Sequence, residues 1–148
     1  MIGELLKAIR LRWIAKAMGS VFVGGITEGQ LPPVEKTTVL PLVSVDIIGV
    51  SSTGRASSDS SNQIQQYETV MLDFTVRARG GLSVCSGLVE QLKAVYSNMH
   101  ATLGSGVSIK KFFWQGESQI QDLDHPNVWD WSITYAAVLE QSQTAVNV

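Results

Sequence analysis

The chain has 148 residues, 45% of them apolar and only 16% charged, with a formal net charge of −2 and a single cysteine. That length suits one domain with an ordinary core. The acidic balance argues against a dedicated nucleic-acid binder, the lone Cys85 excludes an intrachain disulfide, and no run approaches the roughly 20 apolar residues of a membrane helix.

Residues 2–18 read as an amphipathic helix. Ile2, Leu5, Leu6, Ile9, Trp13 and Ala17 recur on one face, with Glu4, Lys7, Arg10 and Lys16 elsewhere. These charges break any continuous apolar stretch, so the segment does not read as a secretory signal. Gly19 is the expected stop. Val21-Phe22-Val23, closed by Gly24-Gly25, predicts a short strand. Glu28 to Lys36 contains Pro32-Pro33 and predicts a loop or extended arm, because proline lacks the ladder donor. Val39 to Ile48 predicts a strand apolar on both faces. Residues 50–62 follow, rich in serine and glycine. Such residues bury too little apolar surface to offset their ordering entropy, so a mobile loop is expected. Structureless loops of about 12–15 residues are uncommon in compact domains unless they serve a function.

Gln63 to Arg79 carries the clearest alternation: Val70, Leu72, Phe74, Val76 and Ala78 against Thr69, Met71, Asp73, Thr75, Arg77 and Arg79. With 39–48 it predicts a long hairpin whose tip is the Ser/Gly-rich loop. Residues 82–98 predict a second helix, with Cys85 as a small buried hydrophobe. Leu103 to Gly106 reads as a turn. Val107 to Gln115 reads as a strand whose inward residues, Phe113 or Phe112 and Trp114, depend on a bulge. Gly116 to Asn127 is polar and turn-rich. In the last strand, Val128 to Leu139, Trp129, Trp131, Ile133, Tyr135, Ala137 and Leu139 share one face. Residues 141–148 are expected to be a flexible tail. The fold class is therefore α+β: one domain over residues 1–140, a largely antiparallel twisted sheet with two helices packed on one face.

No catalytic constellation emerges. Asp122, Asp124 and His125 are suitable metal ligands by type, but they lie in one short loop with no second ligand set and read as a solvated turn. Cys85-Ser86-Gly87 lacks the strained nucleophile elbow. Gly104-Ser105-Gly106 lacks the lysine of a phosphate loop. No enzyme, metal or cofactor is expected. Charge is segregated, however: Lys7, Arg10, Arg12 and Lys16 face only Glu4 in residues 1–16, whereas Glu117, Asp122, Asp124, Asp130 and Glu140 have no cation between them. These are either two solvated faces or complementary patches on neighbouring copies. Low charged content favours covered surface, since interface cores are depleted of charge. Arg77 and Arg79 are either a solvated face or contacts to nucleic acid or a neighbouring carboxylate.

The order of elements then becomes familiar. An opening helix leads to a Pro-Pro loop, then Leu40-Pro41-Leu42-Val43-Ser44-Val45, a Ser/Gly loop and Val70-Met71-Leu72-Asp73-Phe74-Thr75-Val76. One helix follows, and the domain closes on Trp129-Asp130-Trp131-Ser132-Ile133-Thr134-Tyr135. Over residues 2–140 this resembles the tail terminator (tail completion) proteins of long-tailed bacteriophages. The resemblance implies a hexameric ring that caps the tail tube, stops its polymerisation and docks to the head. Its partners would be further copies, the tail tube protein and a head-neck connector protein, with DNA passing through the lumen and no membrane involved. It would reside in the virion tail after assembly in the host cytoplasm. The interface expected from this reading sets Lys7, Arg10, Arg55, Arg77 and Arg79 against Glu117, Asp122, Asp124 and Asp130. Other readings are a head-tail connector or neck protein, a tail tube subunit, a small metal-dependent enzyme on the Asp122 loop, and a ligand-binding module on Trp129 and Trp131.

Overall fold

The computed structural model describes residues 1–57, 63–103 and 106–144. Helix α1 (Ile2–Ala15) places Leu5, Ile9 and Trp13 in the core at four-residue spacing. It ends before Gly19, because Ala17 takes the left-handed conformation (φ 51°) and starts a short 3-10 turn at Met18–Ser20. Val21–Val23 does not form the expected strand. Phe22 turns inward instead, fully buried with its ring 5.4 Å from that of Trp13. The short strand comes later, as β1 (Ile26–Glu28). Gly24 makes this passage possible: a Cβ there would lie 2.3 Å from the Val39 carbonyl oxygen and 2.6 Å from Leu42 Cβ.

The sheet comprises β1, β2 (Leu42–Ser57), β3 (Gln63–Arg79), β4 (Ala101–Thr102), β5 (Val107–Gln121) and β6 (Val128–Thr144). Its spatial order is β1-β2-β3-β6-β5-β4, antiparallel except for β1 beside β2. We call the end where β2 begins and β3 ends the base, and the opposite end the tip.

Two strands run further than their composition suggests. β2 continues through residues 50–57, which the sequence reads as loop; residues 58–62 of that loop lie outside the described residues. The reason is pairing: Ser51 sits opposite Thr69, Gly54 opposite Tyr67 and Ala56 opposite Gln65. Each small polar residue satisfies its backbone against a strand with strong β patterning, so pairing overrides weak propensity. Register shifts at Ile47/Gly49 and Ser52/Gly54 absorb the extra residues as bulges. Likewise β5 runs to Gln121 through the segment read as turn-rich, paired with β6 throughout. β6 takes in residues 141–144 of the expected tail, leaving 145–148 outside the described residues, as are 104–105 of the expected turn.

Helix α2 (Leu82–Tyr96) joins α1 on one face of the sheet. Tyr96 Oη donates to the Ile9 carbonyl at 2.7 Å, and the Arg12 guanidinium donates to that of Val95. Beneath them lie Val70, Leu72, Phe74, Val76 and Ala78 of β3 with Ile133, Tyr135, Ala137 and Leu139 of β6. A shift at Ile109/Lys111 decides the β5 alternative: Phe112 points inward at 1% exposure and Phe113 outward. Phe112 stacks on Tyr135 at 4.9 Å and meets Phe74 edge-on at 6.5 Å. Trp129 and Trp131 pack against this core. Cys85 is buried, which pushes its thiol pKa up to about 11, with the Asp130 charge adding to the effect.

Candidate interaction surfaces

The charged residues that the sequence singles out have different fates. Arg77, two residues before the end of β3, is 5% exposed. Register places it opposite Asp130, and its Nε and Nη2 donate to the two carboxylate oxygens at 2.7 and 2.9 Å. Nη1 donates to the Pro32 carbonyl, so the Pro-Pro loop closes over the pair. This fork geometry is what a guanidinium offers and an ammonium does not. Arg77 and Asp130 thus meet within one chain. Arg10 pairs with Glu28 at 2.9 Å, with both side chains about half exposed, an arrangement that contributes little to stability. Glu117 pairs with Lys93 at 3.3 Å, and the same ammonium lies 5.5 Å from the Trp114 ring centroid. Burial opposes the Lys93 charge, but Glu117 and Glu90 outweigh it and hold the pKa above its ordinary value.

Asp122 is committed to a local turn. Its Oδ1 accepts the N–H groups of Asp124 and His125 at 3.0 and 2.8 Å and lies 3.2 Å from His125 Nδ1. Burial raises the carboxyl pKa, yet the bonds from His125 and the two backbone N–H groups win and hold it below the ordinary range. Among the described residues no group of three His, Cys, Asp or Glu is placed to hold a metal. Lys7, Arg79 and Asp124 are exposed, and none makes an ion pair among the described residues. Arg55 lies in β2 opposite Gln66.

The sheet face away from the helices is lined by hydroxyls and carboxylates. Thr75 and Ser132 hydroxyls lie 2.9 Å apart, Thr134 donates to Asp73 at 2.6 Å, and Asp46 stands directly opposite Asp73. Facing carboxylates repel, so this surface is acidic across its middle.

Sequence reasoning missed the two open edges. β1 covers only Val43–Val45 of β2, so from Asp46 to Ser57 the outer edge of β2 has no strand partner among the described residues. β4 covers only Ser108 and Ile109 of β5, and Asn98 N–H caps the Phe112 carbonyl; from Phe113 to Gln121 the outer edge of β5 has none either. Such rows of unpaired donors and acceptors are templates for another strand. Exposed apolar side chains sit on both: Ile48 and Val50 on one, Phe113, Trp114 and Ile120 on the other. Two further exposed apolar groups are Leu11 and Ile14 on α1, and Val23, Val39, Leu82, Val84 and Leu123 towards the base. The signal for the edges was present in the sequence as isolated apolar residues inside polar runs, legible only once the runs are known to be strands.

No protein-family model matches the chain, and no curated protein matches it. A chain in the solved structure of the virion of a native gene transfer agent particle shares the fold, with a TM-score of 0.63 over 94% of this chain and 96% of that one, at 13% identity. At that identity the likeness establishes architecture.

Proposed function

We propose that this chain is a structural protein of a phage-like virion and that it works by closing into a ring, capping the tail tube and presenting the surface that docks to the head. The observation that carries this reading is the pair of open edges. β2 and β5 run in opposite directions on opposite sides of the sheet, so rotation of one copy onto the next brings them together as an antiparallel pair. Such a contact is heterologous, and it closes where the rotation allows.

The stagger of the edges supports closure. The middle of the β2 edge lies level with Thr69 of β3 and the middle of the β5 edge level with Phe74, about five rungs apart. Over one repeat of the ring, three spacings within the four strands and a fourth to the next copy at ~4.8 Å each with ~3.3 Å per residue, that offset is a strand tilt of about 40°, inside the range of about 35–45° found in closed barrels. The helices, being the bulkier layer, take the outer circumference, and the hydroxyl- and carboxylate-lined face takes the lumen. With Arg77 neutralised by Asp130, Arg79 is the exposed cation that β3 leaves on this face, and the facing Asp46 and Asp73 carboxylates oppose a passing nucleic acid. The fold shared with a chain of a gene transfer agent virion supports the same setting.

In this reading the ring is a hexamer, its partners are the tail tube protein and a head-neck connector protein, and it is assembled in the host cytoplasm and carried in the virion tail. Light scattering on the purified chain tests it. One discrete closed mass is expected. A strict monomer at high concentration contradicts the ring, and an open series of stacked masses favours a tube subunit instead.

A further inference from the structure

The two open edges do not offer every backbone group to a neighbour. Along a strand of an antiparallel ladder, residues turn their N–H and C=O groups alternately to one side and the other. On β2 the Val43 N–H donates to the Gly25 carbonyl at 2.9 Å and the Val45 carbonyl accepts from Gly29 at 2.8 Å, so both residues point outward. Alternation carries this to Ile47. The shift between Ile47 and Gly49 turns the Gly49 backbone inward to Met71, and Val50 and Ser52 are the next to point outward. Beyond the shift at Ser52/Gly54 the next is Arg55. On β5 the Phe112 carbonyl accepts from the Asn98 N–H at 3.1 Å, so Phe112 points outward and is already capped. Trp114 follows, and past the shift at Trp114/Gly116 the outward residues are Glu117, Gln119 and Gln121.

Two edges exchange both bonds only where outward residues stand opposite one another, so the possible registers differ by steps of two residues. β1 closes the range at the base. It lies beside β2 as far as Val45, so Ile47 is the first outward residue left free, and a neighbouring β5 that reached past it would run into β1. Gln121 is the last residue of β5. Gln121 set opposite Ile47 puts Gln119 opposite Val50, Glu117 opposite Ser52 and Trp114 opposite Arg55, which uses every uncapped outward residue of β5. Ile47 is level with Leu72 of β3, and Gln121, through Trp129, with Ala78, a stagger of six rungs. Over four spacings of ~4.8 Å at ~3.3 Å per residue this is a tilt of about 45°, at the upper end of the range for closed barrels. One step further towards the tip leaves Ile47 unpaired and demands about 54°, beyond that range.

We propose that copies meet in this one register, with β1 as its stop, and that Ile120 of one copy seats over Gly49 of the next. Ile120 is 68% exposed and stands beside Asp130 on the face away from the helices, the face that Gly49 shares with Met71. Between the bonded pairs Gln121–Ile47 and Gln119–Val50, Ile120 falls opposite Gly49. A Cβ at Gly49 would find nothing within 4 Å, so the strand leaves an open gap there. Exposed Ile48 precedes it and part-buried Met71 lies across it. An isoleucine in that gap covers bare backbone and recovers burial that the single chain does not give it. The neighbouring registers set Ile120 against Asp46 or Ser51 instead. The proposal rests on the ring reading and adds the residues that fix how copies align.

Cysteine mapping tests it. The Ile120→Cys chain is mixed in turn with Asp46→Cys, Gly49→Cys and Ser51→Cys chains at a concentration where the parent is assembled, and oxidised with oxidised glutathione; Cys85 is buried and stays out of the reaction. Residues directly opposite at a non-bonded site lie ~4.5 Å apart at Cα, whereas one register step puts them ~8 Å apart, beyond the ~7 Å that a disulfide spans. Crosslinked dimer is therefore expected with Gly49→Cys and not with the other two. A chain carrying both Ile120→Cys and Gly49→Cys is expected to crosslink through to the full closed oligomer. Ile120→Ser is expected to weaken self-association roughly tenfold, with monomer circular dichroism unchanged. Crosslinking through Asp46→Cys or Ser51→Cys overturns this register and leaves the ring reading standing, as does an Ile120→Ser chain that associates as tightly as the parent. An assembled mixture that crosslinks at none of the three positions, or a parent that never associates, overturns edge pairing and this register with it.

Discussion

The β2–β3 ladder has two halves that share one backbone pattern and differ in what holds them. Near the base, Val43, Val45, Leu72, Phe74 and Val76 lie beneath both helices, almost fully buried. Towards the tip, Ser51 and Ser52 pair with Thr69 and Glu68, and no helix-face core cluster reaches them. Burial fixes the first half, since a slip of one residue would turn its apolar set to water. Cross-strand pairing alone fixes the second, and pairs of that kind contribute only about 0.2–1 kcal/mol each. The lesson is that regular structure marks where a chain is paired, while burial marks where it is stable. The tip half has its backbone order without its own core, which suits a surface completed by another molecule.

Breaking the base half is expected to have the largest effect. Phe74 is fully buried, with its ring 4.7 Å from Tyr96 and 5.7 Å from Tyr135. Phe74→Ala is expected to cost about 3–5 kcal/mol, read as a fall in the urea midpoint. Asp130→Ala leaves the Arg77 guanidinium buried without its carboxylate. A loss of about 2–4 kcal/mol is expected, somewhat below that of a fully buried pair because Asp130 is part-exposed. A loss under 1 kcal/mol would show that Arg77 finds water instead. In the tip half, Val50→Lys is expected to change monomer stability by no more than about 0.5 kcal/mol while weakening self-association. Comparable losses of monomer stability at Val50 and Phe74 would erase the contrast between the halves.

The smallest effect concerns acid. The Asp122 carboxyl is held below its ordinary pKa in the folded chain. Its contribution is therefore fully present above about pH 4, the ordinary carboxylate value, and is lost as pH falls through the lower folded value. Asp122→Asn is expected to flatten that part of the stability profile, measured by denaturant titration at several pH values. An unchanged acid limb would assign it to other carboxylates.

What was legible in the sequence follows the same division. The alternation of β3 was plain because burial writes a period of two, and both helices were plain because burial writes their apolar stripes. The outer lengths of β2 and β5 were illegible: serines, glycines and glutamines pair without needing burial, so they leave no periodic signature. Bulges were invisible for a related reason, since a single inserted residue changes register without changing composition. Arg77 and Arg79 illustrate the limit at the site. Both sit on the same face of one strand, yet one is enclosed by Asp130 and Pro32 and the other is exposed. Only the partner strand and the Pro-Pro loop, distant in sequence, distinguish them. The basic and acidic stretches suggested opposed patches, but the structure joins Arg77 to Asp130, Arg10 to Glu28 and Glu117 to Lys93 within one chain.

Hydrogen exchange, compared between the dispersed chain and its assembled form, tests edge pairing most directly, because it reads whether each backbone amide has acquired a partner. The outward-pointing amides of residues 46–57 and 113–121, about every second one along each edge, are expected to exchange quickly when dispersed and to become protected together on assembly, with the core of β3 slow in both states. Assembly that leaves both edges exchanging as before would contradict the account.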